Sequence, residues 1–400
     1  MKALIMAGGE GTRLRPLTCN RPKPMVPVMN KPVMEHIIQL LKQHNITEIG
    51  VTLQYMPQII REYFGDGSDL GVNIRYYVEE SPLGTAGSVK NAEEFLDDTF
   101  IVISGDALTD INLSKAIAYH QNNNAVATLV LARVDVPLEY GVVVTDNHGK
   151  ITRFLEKPSW SEVFSDTVNT GIYILNPRVL AYFNAGEKFD FSKDLFPLLM
   201  EDEQPMYGYV AEGYWCDIGD LSAYQQCHFD ILDGKVNIPN HAREIAEKVW
   251  VEDPVEIADT AQITGPVLIG SHTKIKDYAA ISDFTVIGSD NIIGEYSSFK
   301  RTILWKGCNI GQKVQLRGCT LCNKAQVKEA SSVFEQAVVG GNTVVKERAV
   351  VKPGIKIWPS KTVESDTEIN VNLVWGAKYS KMLFGEKGIL GEVNVDLTPE

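Results

Sequence analysis

Along roughly the first 230 residues, short apolar runs alternate with amphipathic segments. Ala3-Leu4-Ile5-Met6 reads as a buried strand that stops at Gly8-Gly9, and Phe100-Ile101-Val102-Ile103-Ser104 as another that stops at Gly105-Asp106. Between them, Met34, Ile37, Ile38, Leu40 and Leu41 recur at helical spacing within residues 33–44, and Ile49-Gly50-Val51-Thr52-Leu53 is a further strand. Strand, helix and strand in succession predict a mostly parallel sheet with helices on both faces. Ligands of such sheets sit beyond the carboxyl ends of the strands, where both glycine turns fall.

After about Val249 the apolar rhythm becomes six. Ile257, Ile263, Ile269, Ile275, Ile281, Ile287, Ile293, Phe299 and Trp305 follow at that interval. A second series runs Leu321, Val327, Val333, Val339, Val345, Val351, Ile357, Val363, Ile369 and Trp375. A helix period of 3.6 cannot keep this register and a strand period of 2 does not single out every sixth residue, whereas a parallel β-helix of stacked hexapeptides requires it. The 16-residue step from Trp305 to Leu321 shifts the phase and predicts an irregular turn between them. Domains are therefore expected at 1–232 and 253–376. The linker 233–252 carries Gly234, Pro239 and Asn240 and is expected to include a short helix; a tail covers 377–400.

Composition narrows the class. At about 150 residues per domain, 400 residues hold two or three domains. An apolar share of 44% without a G-X-Y period excludes a disordered or collagen-like chain. No apolar run approaches the roughly 18 residues of a membrane span, and Gly8-Gly9 comes too early for a secretory signal. The expectation is a cytoplasmic protein without a membrane partner. Lys and Arg number 38 against 51 Asp and Glu, so a nucleic-acid partner is not expected. One stretch departs from this balance: Lys2, Arg13, Arg15, Arg21, Lys23 and Lys31 share residues 1–31 with a single acid, Glu10. A local cationic patch on an acidic protein suits a small anionic ligand. The six cysteines are scattered, unlike a disulfide framework, and Cys319-x-x-Cys322 has no second pair at zinc-site spacing, so those two are expected to be buried small residues of the repeat.

Candidate chemistry begins at Gly8-Gly9-Glu10-Gly11-Thr12-Arg13. Glycines behind a strand let backbone N–H groups approach phosphate or base. No Lys-Ser/Thr pair makes this a P-loop, and Leu14 stands where a dinucleotide fingerprint needs its third glycine. Lys23 lies between Pro22 and Pro24, which stiffen its backbone, and a fixed cation suits a polyphosphate. Asp106 and Asp217 each follow an apparent strand beside a glycine; two converging carboxylates can hold Mg²⁺ together with phosphate oxygens.

The run MAGGEGTRLRPLTCNRPKPMVPVMNK over residues 6–31 resembles the signature of the sugar-1-phosphate nucleotidyltransferases. The resemblance extends through Glu79-Glu80-Ser81-Pro82-Leu83-Gly84-Thr85-Ala86-Gly87, Gly105-Asp106, Tyr140-Gly141-Val142, Glu156-Lys157-Pro158, Asn169-Thr170-Gly171 and Trp215-Cys216-Asp217. It implies a Rossmann-like α/β nucleotidyltransferase domain, followed here by a left-handed parallel β-helix. It also implies in-line attack by a sugar 1-phosphate on the α-phosphorus of an NTP, with pyrophosphate leaving and no covalent enzyme intermediate. Carried onto this chain, Gly8, Gly9, Gly11, Thr12, Glu79, Pro82 and Gly84 would receive the nucleotide. Arg13 and Lys23 would grip the phosphates, Lys157 would neutralise the sugar phosphate, and Asp106 and Asp217 would hold Mg²⁺. Tyr140, Gly141, Glu156, Asn169 and Thr170 would meet the sugar.

Glu79 bears on the base. Relatives that take uracil or thymine place glutamine there, which can both donate and accept, whereas a carboxylate only accepts. Guanine offers two adjacent donors to a carboxylate, and a mismatched buried pair costs about 1–3 kcal/mol. The resemblance is thus to the mannose-1-phosphate guanylyltransferase branch, with GTP and mannose 1-phosphate as substrates. A UTP- or dTTP-dependent glucose-1-phosphate enzyme and a non-catalytic NDP-sugar-sensing subunit remain as alternatives, and a manno-configured heptose 1-phosphate would also be compatible. Hexapeptide repeats also occur in acyltransferases, but the lone candidate base, His272, lies inside an uninterrupted hexad and reads as a solvated corner. The β-helix is expected to be structural, regulatory or oligomerising, joining copies of the chain. Residues 381–391, KMLFGEKGILG, resemble the opening of a phosphohexomutase domain, which implies a mutase fusion continuing past Glu400; Glu386-Lys387 and Leu390 depart from that pattern.

Overall fold

The computed structural model describes residues 1–156, 159, 165–239 and 242–375, with only the backbone given for Glu156 and for the short strands 378–379, 384–385 and 388–389. Apart from the backbone of those short strands, the tail segment that carries the resemblance lies outside the described residues. Two compact units emerge: Met1–Gly11 with Arg21–Val26 and Pro32–Ile218, and Thr12–Asn20 with Pro27–Lys31 and Gly219–Glu400.

The first unit is built on a nine-stranded sheet. Its strands, in chain order, are β1 (Lys2–Met6), β2 (Glu48–Leu53), β3 (Asn73–Val78), β4 (Phe100–Ser104), β6 (Ala127–Arg133), β7 (Gly141–Thr145), β8 (Ile151–Glu156), β9 (Thr167–Leu175) and β10 (Met206–Val210). Separately, β5 (Ala107–Thr109) and β11 (Trp215–Asp217) form a two-stranded ladder. The order β3-β2-β1-β4 is parallel throughout, as the alternating rhythm predicted, and β9 then enters antiparallel to β4. These strands are apolar because helices cover them. Helix α1 (Val33–Gln43) buries Met34, Ile37, Ile38, Leu40 and Leu41, and the shorter α2 (Gly84–Lys90) buries Ala86 and Val89. Helix α3 (Leu113–Asn122) buries Leu113, Ala116 and His120. Met6 is in register with Thr52 on one side and Ser104 on the other, so the loops after β1, β2 and β4 leave the sheet at one edge.

The second unit carries α4 (Leu221–Leu232) and three stacks of short strands, eight, eight and seven strong. The stacked pairings are parallel, apart from the antiparallel hairpin of Arg243–Ala246 with Val249–Val251. That hairpin occupies the join, and no described residue between 233 and 252 is helical, which corrects the expected short helix there. Hydrogen bonding explains the result: Val249–Val251 pairs with Arg243–Ala246 on one side and with Val267–Ile269 on the other, so both strands of the hairpin belong to the first stack.

The hexad interior is as the six-residue rhythm predicted up to Phe299. There the phase slips by two five-residue steps rather than one irregular turn. Ile287 is in register with Leu304 and Leu304 with Leu321, so the inward column runs Phe299, Leu304, Ile310, Leu316, Leu321. The left-handed corners repeat the same steps: Tyr296 is followed by Arg301, and Lys313 by Gly318. Leu304, not Trp305, therefore faces the interior; Trp305 is buried elsewhere, its indole N–H donating to the Tyr224 hydroxyl at 2.8 Å. The last expected member also departs, since Trp375 is 76% exposed and Leu373 is buried instead. The Tyr224 hydroxyl donates to the Pro27 carbonyl at 2.8 Å, and the Asn30 amide donates to Glu252 at 3.2 Å and to the Ile287 carbonyl at 3.3 Å. These bonds tie residues 27–31 into the second unit. No helix among the described residues is long and apolar enough to cross a membrane.

Candidate functional site

Asp106 is the second residue after β4, and Asp217 ends β11. The antiparallel ladder of β11 with β5 sets Asp217 opposite Ala107, and the Ile218 N–H donates to the Asp106 carbonyl at 3.2 Å. Two aspartates far apart in sequence thus become neighbours. Between them sits Lys23, in a short 3-10 turn entered through Pro22. Its Nζ donates to Asp106 Oδ2 at 2.5 Å and to Asp217 Oδ1 at 3.2 Å. Lys23 is buried, while each aspartate side chain is about a quarter exposed.

Gly105 makes this packing possible. A Cβ there would meet the Met6 carbonyl at 2.8 Å and the Pro24 ring at 3.3 Å, so the loop after β4 can lie against the segment bearing Lys23 only without a side chain. Burial disfavours both charges, yet mutual attraction wins. Desolvation pushes the Lys23 pKa down, but the Asp106 and Asp217 carboxylates outweigh it and hold it above its ordinary value. Desolvation likewise pushes Asp106 up, and the Lys23 ammonium with the Ser104 hydroxyl holds it below the usual carboxylate range. Ser104, absent from the sequence-derived set, donates to Asp106 Oδ1 at 2.5 Å. Its position two residues before an aspartate at a strand end was the only signal available.

A second group gathers at Gly8. Glu79 is buried, at 9% exposure, and its Oε2 accepts from the Leu83 N–H at 3.1 Å. Its Oε1 lies 3.6 Å from where a Gly8 Cβ would stand, and the Gln54 Cβ is 3.4 Å from that point. Gln54, the first residue after β2, is a neighbour that the sequence did not single out. Gly9 has open space where a Cβ would go, and Gly11 takes φ +65°. Pro82 is exposed. Gly84, at φ +73°, packs against the Phe189 backbone, where a Cβ would meet the carbonyl oxygen at 2.6 Å.

Thr12 and Arg13 are exposed in the 3-10 turn Thr12–Leu14, which belongs to the second unit. Among the other predicted residues, half-buried Tyr140 rests edge-on against Trp215 with ring centroids 5.3 Å apart, and Gly141 opens β7. The Trp215 indole donates to the Thr170 carbonyl at 3.1 Å, which makes Trp215 a further residue of this wall. Asn169 and Thr170 sit at a bulge in β9, where register is lost up to Ile172 and Gly171 takes φ +75°. The Asn169 amide donates to the Tyr173 hydroxyl at 2.9 Å, and the buried Thr170 hydroxyl donates to the Val130 carbonyl at 2.7 Å. Lys157 and the side chain of Glu156 lie outside the described residues.

Among the described residues no group of three or more His, Cys, Asp or Glu side chains could hold a metal unaided. The Asp106–Asp217 pair nevertheless has the chemistry of a hard-cation site, because its oxygens already share one positive charge. A Mg²⁺-like ion takes one or two carboxylates and completes its shell with substrate phosphates and water. The pair fits such an ion on those terms. Cys319 and Cys322 are buried thiols, as expected, and so is Cys308. Burial pushes the Cys308 and Cys319 thiols up to about 12. His272 is an exposed corner residue 4.0 Å from Asp290.

The model of the nucleotidyl transferase family matches residues 2–234, more than half of the chain. This chain belongs to that family. The model of the EIF2B subunit epsilon left-handed β-helix domain matches residues 246–351. A UTP–glucose-1-phosphate uridylyltransferase of Synechocystis is 40% identical over 290 residues, 68% of this chain and 75% of that protein. A mannose-1-phosphate guanyltransferase of Candida albicans is 35% identical over 378 residues, 92% of this chain and 98% of that protein. Among solved structures, HddC from Yersinia pseudotuberculosis complexed with GMP-PN superposes with a TM-score of 0.50 at 26% identity, covering 56% of this chain and 97% of that one. The protein is a nucleotidyltransferase acting on a sugar 1-phosphate, and its family generally works with a divalent metal.

Proposed function

We propose that this enzyme transfers a guanylyl group from GTP to mannose 1-phosphate in the presence of Mg²⁺, releasing pyrophosphate and forming GDP-mannose. The observation that carries the base assignment is Glu79: a buried acceptor-only side chain whose Oε1 lies 3.6 Å from where a Gly8 Cβ would stand. Guanine meets that acceptor with N1–H and its 2-amino group, whereas uracil or thymine would set a carbonyl oxygen beside a carboxylate. The many guanylyltransferases among the relatives, Candida albicans included, support the same reading. The 40% identity to the Synechocystis enzyme favours a second reading, UTP with glucose 1-phosphate.

In the proposed reaction an oxygen of the sugar phosphate attacks the α-phosphorus in line, and the bond to the bridging oxygen of pyrophosphate breaks. No side chain need form a covalent bond, so the work of the protein is to position substrates and offset charge. Asp106 and Asp217 would hold Mg²⁺, which when bound supplies positive charge to the phosphate oxygens. Lys23, Arg13 and Lys157 would bind phosphate oxygens. Gly8, Gly9, Gly11, Thr12, Pro82 and Gly84 would shape the nucleotide loop, while Tyr140, Gly141, Glu156 and Asn169 would bind the sugar. Thr170, whose hydroxyl is spent on Val130, would act through its backbone and the bulge it maintains.

The test is a nucleotide swap. Glu79→Gln should lower kcat/KM for GTP and raise it for UTP, moving their ratio by about tenfold or more, since one mismatched buried pair costs about 1–3 kcal/mol. An unchanged ratio would remove Glu79 from base recognition.

A further inference from the structure

The ammonium of Lys23 occupies the space between the same two carboxylates that would receive the metal, 2.5 Å from Asp106 and 3.2 Å from Asp217. Two cations cannot share that seat. Two neighbouring carboxylates without a counter-ion would repel each other, so a cation beside them is favoured in the free protein. Pro22 and Pro24 restrain the backbone on either side of Lys23, which leaves rotation of its four-carbon stem as the means of departure. The polyphosphate of a nucleotide offers the ammonium new acceptors, and the same phosphates supply the oxygens that two carboxylates lack for a hard cation.

We infer that Lys23 is an internal counter-ion that blocks the metal seat of Asp106 and Asp217 until nucleotide phosphates draw it away, so that the divalent ion enters with the nucleotide and not before it. The inference rests on the assignment of the metal to those two aspartates. Ligand affinity falls in proportion to the fraction of competent protein. If Lys23 holds the seat nine-tenths of the time or more, metal binding to the free protein is weakened about tenfold or more. Coupling is reciprocal, so occupancy by metal and by nucleotide must favour each other by the same factor.

The test is Mn²⁺ binding to the full chain without nucleotide, read by the loss of the free-ion electron paramagnetic resonance signal. Lys23→Gln should bind Mn²⁺ at least about tenfold more tightly than wild type, and adding Asp106→Asn to that variant should abolish the gain. Equal affinity of wild type and Lys23→Gln would overturn the blocking role. Gain that survives Asp106→Asn would instead overturn the metal assignment beneath it. A second measurement needs no variant: the side-chain ammonium resonance of Lys23 should shift when the α,β-methylene analogue of GTP or UTP binds. A resonance unmoved by a saturating analogue would show that phosphates do not draw the lysine away.

Discussion

At the scale of single residues, the site depends on charges that compensate one another. Asp106→Asn or Asp217→Asn leaves Lys23 one carboxylate partner, so the fold should survive while turnover falls by roughly 10²-fold or more, the range for losing a group that serves transition-state charge. Near-wild-type rates in either variant, with unchanged circular dichroism, would remove the metal assignment. Ser104→Ala takes away one hydrogen bond to a charged acceptor, worth about 1.5–3 kcal/mol. Its loss should cost about tenfold in kcat with little change in KM; an unaltered kcat would show that Asp106 holds its position without it. Lys23, Asp106 and Asp217 could be singled out as candidates in the sequence because glycines, prolines and strand ends framed them. Gln54 and Trp215 were not, because contacts between segments distant in sequence bring them beside Gly8 and Thr170; Ser104 stands only two residues from Asp106, and its bond to that carboxylate depends on the turn at the end of β4.

At the scale of elements, periodicity predicted the strands and α1 well, and it failed where the interior column changed step. A count of sixes extends to Trp305, but the backbone shortens between Phe299 and Leu304, and nothing in residue type marks that deletion. Within the uninterrupted part, Ile293 is fully buried in the interior column. Ile293→Ala should destabilise the second unit by about 2–5 kcal/mol, read from denaturant unfolding; a loss below about 0.5 kcal/mol, the range of surface changes, would mean the column is not a packed core. A second element-scale prediction concerns His120, buried on α3 with Nδ1 2.9 Å from the Thr128 hydroxyl of β6. Burial lowers its pKa from 6.5 to about 4. The folded value is the lower one, so its contribution to stability is complete above the unfolded value and lost as pH falls toward the folded one. The first unit should therefore lose up to about 3 kcal/mol between pH 6.5 and 4 from this group. His120→Asn should flatten that part of the Tm–pH curve; an identical curve would contradict the assignment.

At the scale of the whole molecule, an acidic chain carries a short basic opening, and that contrast is what pointed to a small anionic substrate instead of a polyanion. The two rhythms of the sequence became two kinds of architecture, a sheet with crevice loops and a stack of hexad coils. Their compact units nevertheless divide the opening segment, with residues 12–20 and 27–31 grouped with the second. Local patterning could not foresee that division, because it depends on hydrogen bonds such as Asn30 to Glu252 across more than two hundred positions. Guanylyl transfer to a sugar phosphate is to be measured as pyrophosphate release with Mg²⁺. GTP, UTP, dTTP and ATP are each to be combined with mannose 1-phosphate and with glucose 1-phosphate. The highest kcat/KM is expected for GTP with mannose 1-phosphate; the highest value for UTP or dTTP with glucose 1-phosphate would overturn the guanylyl assignment.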